Sequence, residues 1–69
     1  MSNKKITTEL ESAKAATNRS AIVEFGYCNY PSFDSVYYKV DSGESTVVRF
    51  KCSRTALRFY WWIDEHFAD

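Results

Sequence analysis

The patterned segments of this 69-residue chain run helix, strand, strand, strand, helix. That order predicts one small α+β domain, with a three-stranded antiparallel meander sheet and both helices packed on one of its faces. Three observations carry the expectation. Residues 20–28, 35–41 and 45–52 alternate apolar and polar side chains with the period of a strand. Residues 5–17 and 54–67 repeat apolar side chains near the period of a helix. The gaps between the strands are short and hold Pro31 in one and Gly43 in the other.

In the first helix, Ile6, Leu10, Ala13 and Ala16 or Thr17 form a thin, alanine-rich stripe. Thr8 and Glu11 fit a capping box, which would leave Ile6 just outside the helix, and Asn18 marks its stop. In the first strand Ala21, Val23, Phe25 and Tyr27 share one face, with Ile22, Glu24, Gly26 and Cys28 on the other. Asn29-Tyr30-Pro31-Ser32-Phe33-Asp34 is the following loop.

Val36, Tyr38 and Val40 face the core from the second strand, and Val48, Phe50 and Cys52 from the third. A two-residue loop at Ser42-Gly43 would set Tyr38 against Val47 and Val36 against Arg49, splitting the apolar faces. One more loop residue pairs Tyr38 with Val48 and Val36 with Phe50, and puts Gly43 or a neighbour in the left-handed position of a bulged hairpin. Ser53 is the expected N-cap of the last helix, whose apolar face is Ala56, Phe59, Tyr60, Ile63 and Phe67. In a meander, Cys28 and Cys52 lie two strands apart, about 9.5 Å. A disulfide needs Cα atoms within about 7 Å, so both thiols are expected to be free.

Chains this short are marginal on core burial alone. Here two tryptophans, five tyrosines and five phenylalanines supply the area. No stretch reaches the roughly 18 apolar residues of a membrane span. The polar start, Met1-Ser2-Asn3-Lys4-Lys5, lacks a signal core, so the expected location is the cytoplasm, of a host cell if the chain is phage-encoded. Nine basic and nine acidic residues balance to zero, which speaks against a general polyanion binder.

Catalytic chemistry finds few groups. His66 is the one histidine, and no nucleophile is tied to it by spacing. Asp64 and Glu65 are adjacent on a helix and point in different directions. Cys28, Cys52 and His66 lack the paired spacing of a metal site. Gly26 and Gly43 are the only glycines, too few for a phosphate loop. A non-enzymatic protein without cofactor or metal is expected.

What remains is surface. Phe59-Tyr60-Trp61-Trp62 wraps most of the way round a helix, with Trp61 roughly 140° and Trp62 roughly 240° from Ala56. One ring can pack on the first helix and the other is left exposed. Basic residues Arg54 and Arg58 open the helix and acidic Asp64 and Glu65 close it, against its dipole. The loop adds Tyr30 and Phe33. The expected protein-binding set is therefore Trp61, Trp62, Arg58, Asp64, Glu65, Tyr30 and Phe33. The expected function is a protein-binding inhibitor of a host macromolecular complex, of the phage-encoded anti-defence (anti-CRISPR-like) kind. Such a protein would occlude a protein or nucleic-acid site, as a monomer or homodimer with no membrane association.

The alternative partner is nucleic acid. The sheet face away from the helices carries Ile22, Glu24, Tyr37, Lys39, Val47, Arg49 and Lys51. Tyr37 could stack a base while Arg49, Lys51 and Arg54 hold phosphate. The αβββα order over the whole chain resembles the double-stranded-RNA-binding domain. That family uses a Gly-Pro-x-His loop between its first two strands, where this chain has Asn29-Tyr30-Pro31-Ser32-Phe33-Asp34 without a histidine, and opens its last helix with a lysine cluster, where this chain has Arg54 and Arg58. The resemblance implies duplex binding through the basic segment 49–58.

Overall fold

The computed structural model describes residues 9–68. Helix α1 (Glu9–Ala15) and a short 3-10 turn (Arg19–Ala21) lead into β1 (Ile22–Asn29), β2 (Asp34–Val40) and β3 (Ser45–Phe50), and α2 (Ser53–Ala68) closes the chain. The strands form one antiparallel sheet in the order β1-β2-β3. This is the expected α+β meander. Ile6 and Thr8, and with them the cap of the first helix, lie outside the described residues.

α1 stops at Ala15, two residues earlier than expected. The Thr17 hydroxyl donates back to the Ala13 carbonyl at 2.7 Å and lies 3.2 Å from the Tyr38 hydroxyl, so the exit from the helix is tied to the sheet. β1 differs from simple alternation. Its pairing with β2 shifts between Ile22, opposite Val40, and Glu24, opposite Lys39, which makes a β-bulge at Val23. The extra residue turns Ile22 into the core, where it is 3% exposed, and leaves Val23 58% exposed. The expectation that Ile22 belongs to the open face and Val23 to the core is corrected by this bulge.

The β2–β3 hairpin keeps the apolar faces together, but two residues away from the expected register. Val36 pairs with Val48, Tyr38 with Thr46, and Asp34 with Phe50. Gly43 N–H donates to the Val40 carbonyl and Val40 N–H to the Glu44 carbonyl, both at 2.9 Å. The loop is therefore Asp41-Ser42-Gly43, with Gly43 at φ 99° in its third position. Placing glycine there spares any other residue the left-handed conformation. A shift of two preserves every side chain's face.

α2 lies across all three strands. Ala56, Phe59 and Ile63 are fully buried against Val36, Tyr38 and Phe50. Tyr60 packs on Phe25 and Tyr27, and Phe67 stacks on Phe25 at 5.4 Å. α1 adds Ala13 and Leu10 to the same core.

The cap of α2 is Cys52, not Ser53. The Cys52 carbonyl accepts from Ala56 N–H at 3.1 Å. The backbone N–H groups of Thr55 and Arg54 face the thiol and lower its pKa. Cys52 has left the sheet and is exposed, as is Cys28, and both are free. Ser53 is thereby released for another partner, Asp34.

Candidate functional site

Asp34 is a buried carboxyl at the core-side end of β2. It accepts from the Tyr27 hydroxyl at 2.8 Å and from Asn29 Nδ2 at 2.6 Å. The Ser53 hydroxyl, then these two donors, hold its pKa below the ordinary carboxylate value. The same carboxylate pushes the Tyr27 phenol up. This knot joins β1, β2 and the first residue of α2, and every member has a partner. It is a structural joint between elements, and nothing in the pattern of the sequence singled it out.

The two tryptophans occupy unlike positions. Trp62 is half-buried between α2 and the chain leaving α1. It stacks on Phe59 at 5.7 Å. The Arg19 guanidinium lies 4.7 Å and the Lys14 ammonium 5.5 Å from its ring centre. Arg19 also donates to the Trp62 carbonyl at 2.7 Å and sits 3.9 Å from Glu65. Arg19 was not among the expected site residues. Its only signal is a cation placed just after a helix stop, which many surface positions share.

Trp61 is 56% exposed. On the helical wheel Arg54, Arg58, Trp61 and Glu65 fall on one stripe, opposite the buried Ala56, Phe59 and Ile63. The helix spends its large apolar residues on the sheet, on α1 and on this outward ring.

Beside the stripe, α1 and α2 enclose an open groove. One part, about 440 Å³, is lined by Glu9, Leu10, Glu11, Lys14, Arg54, Thr55 and Arg58. The adjoining part, about 340 Å³, is lined by Leu10, Lys14, Arg58, Trp61, Trp62 and Glu65. Of the expected protein-binding residues, Arg58, Trp61, Trp62 and Glu65 therefore meet at one place. Asp64 is exposed on α2 but does not line the groove. Tyr30 and Phe33 stand apart from it. They pack on each other at 5.0 Å, and the Arg49 guanidinium lies 4.7 Å over the Phe33 ring at the end of the open sheet face.

The residues of the nucleic-acid alternative divide between two surfaces. Tyr37 and Arg49 are on the open face, where the Tyr37 ring lies over Gly26 so closely that it leaves no room for a Cβ there. Arg54 lines the groove between the helices, on the other side of the sheet. Lys51 is exposed in the link between β3 and α2. His66 is exposed near the end of α2, edge-on to Phe67.

Among the described residues, no three His, Cys, Asp or Glu side chains are grouped to hold a metal ion. No helix among them is long and apolar enough to cross a membrane. Comparison with protein-family models, curated proteins and solved structures finds no significant match to this chain.

Proposed function

We propose that this chain is a non-enzymatic protein-binding module whose contact surface is the outer stripe of α2 and the groove beside it. One observation carries the reading: Trp61, a large apolar ring more than half exposed, sits between Arg58 and Glu65 at the lip of that groove. Tryptophan and arginine dominate binding hot spots because they combine apolar area with a polar handle. The stripe does nothing for the sheet contact, so the protein's own stability does not require a tryptophan there. Its cations oppose the helix dipole, a small cost that a partner's carboxylates would offset. In biological terms the reading is an inhibitor of the phage-encoded anti-defence kind, which occludes a working surface of a host complex.

The test is affinity capture from host extract at about 0.15 M salt, near physiological ionic strength, followed by binding measurements on the captured protein. The wild-type chain retains a discrete protein. Trp61→Ala weakens that complex by roughly 30-fold or more, the scale of a hot-spot residue, while Glu24→Ala on the open face does not. Binding that is indifferent to Trp61 overturns the proposal. So does tight binding to duplex RNA whose log K falls steeply with log salt and responds to Arg49→Ala and Arg54→Ala, the signature of the alternative.

A further inference from the structure

β1 and β3 are both edges of the sheet, and an edge strand exposes backbone groups that can pair with another strand. The two edges differ. β1 is interrupted by the bulge at Val23, which twists the strand and breaks its row of outward groups. β3 is unbroken, Ser45-Thr46-Val47-Val48-Arg49-Phe50, rich in β-branched residues, and Arg49 is its one charge. It has neither proline nor bulge. Among the described residues no element lies against its outer side.

The hairpin decides which backbone groups point outward. Val40 N–H bonds to the Glu44 carbonyl, so Val40–Glu44 is a hydrogen-bonded pair. In an antiparallel ladder such pairs alternate with non-bonded ones. Tyr38–Thr46, Val36–Val48 and Asp34–Phe50 are then bonded pairs, and Lys39–Ser45, Tyr37–Val47 and Ser35–Arg49 are not. The N–H and C=O groups of Ser45, Val47 and Arg49 therefore face away from the sheet. Their side chains stand on the open face, where Val47 is 62% exposed.

We infer that β3 is a self-pairing edge, docking antiparallel on β3 of a second copy about a two-fold axis through Val47. In that register Val47 meets Val47, and Ser45 of one copy meets Arg49 of the other. Each of these pairs exchanges both its N–H···O=C bonds, so all outward groups of Ser45, Val47 and Arg49 are used. The charge pattern favours this occupant: Arg49 lies opposite serine, not its own copy, and Glu44 of one copy comes to the strand end that leads to Lys51 of the other. The parity is also right. Thr46 of one copy lies beside Val48 of the other on the core side, where Val48 is only half-buried in the monomer. Both α2 helices then lie on one side of a continuous sheet, and both Trp61 stripes stay outside the contact. The contact is small beside the roughly 1,200–2,000 Å² of a standard interface. Dimerisation therefore depends on concentration across the micromolar to millimolar range.

Amide hydrogen exchange by NMR over a dilution series, run beside analytical ultracentrifugation, tests this. At low concentration Thr46, Val48 and Phe50 are protected by β2 while Ser45, Val47 and Arg49 exchange fast. At high concentration a dimer forms, and Ser45, Val47 and Arg49 become protected together. Val47→Pro removes an outward donor and spares the ladder to β2, a position where an edge strand tolerates proline. Val47→Lys sets two ammonium groups face to face across the axis. Both variants keep the folded spectrum and are monomeric where the wild type is dimeric, whereas Trp61→Ala dimerises normally. A wild-type chain that is monomeric at millimolar concentration overturns the inference. So does a dimer that both Val47 variants still form, or one in which the Ser45, Val47 and Arg49 amides stay unprotected. Because Trp61 and Val47 are read separately, failure of this dimer leaves the α2 surface untouched, and the reverse also holds.

Discussion

Trp61 and Trp62 are the same residue at consecutive positions of one helix, and they do opposite things. Trp62 is stacked on Phe59, approached by Lys14 and Arg19, and hydrogen-bonded through its carbonyl. Trp61 points away from the core and rims an open groove. The step of about 100° between neighbouring helical residues is the whole cause. The sheet takes the Ala56, Phe59 and Ile63 face. α1 and the turn after it take the flank that holds Trp62, and no described element takes the side of Trp61. Residue type therefore says little about role on a helix this aromatic; the direction of each ring decides.

The contrast can be broken by substitution. The largest effect belongs to the buried ring beneath Trp62. Phe59→Ala removes a fully buried ring touching Tyr38, Phe50 and Trp62, and should cost about 3–5 kcal/mol in denaturant unfolding. Trp62→Ala, at a half-buried site, should cost about 2–3 kcal/mol. Arg19→Ala should cost roughly 1–2 kcal/mol through the lost carbonyl hydrogen bond and ring contact, and lysine should restore only part of it, since it lacks the planar fork. Trp61→Ala should change stability by less than about 0.5 kcal/mol.

A second prediction separates the tryptophan clamp from the Asp34 knot. The folded-state pKa of Asp34 lies below its ordinary value, held there by Ser53, Tyr27 and Asn29. The folded state therefore binds the proton less readily than the unfolded one. The stabilisation is fully present above the ordinary carboxylate range and is lost as pH falls through the depressed folded value. Urea midpoints measured from neutral to acid pH should decline in that window. Asp34→Asn should lower the neutral midpoint and flatten the acid limb, while Trp62→Ala lowers the whole profile without changing its shape. A smaller effect, still above that of Trp61→Ala, is expected at the hairpin. Gly43→Ala should cost on the order of 1 kcal/mol, because alanine is strained at φ 99°.

The fold class, the order of elements and the helix faces were legible because long-period patterning survives tertiary context. So was the split between the tryptophans: a single apolar face cannot take both. Its direction was not legible, since that depends on which flank α1 packs against. The bulge at Val23 was hidden because Ile22 and Val23 are both β-branched and apolar, so either could be the inward residue. The hairpin register turned on whether glycine stands second or third in the loop. The Arg19 clamp joins residues far apart in the chain, and the Asp34 knot combines the nearby Tyr27 and Asn29 with the distant Ser53, through contacts that no hydrophobic period records.

The central claim is that α2 has one tryptophan for the fold and one for a partner. The most direct test compares Trp61→Ala with Trp62→Ala in two readouts, unfolding midpoint and retention of the captured host protein. The expected result is a crossed pattern. Trp62→Ala lowers the midpoint clearly, whereas Trp61→Ala leaves it within experimental error of wild type and loses the partner. Equal losses of stability in both variants, or a partner retained in full by Trp61→Ala, would contradict it.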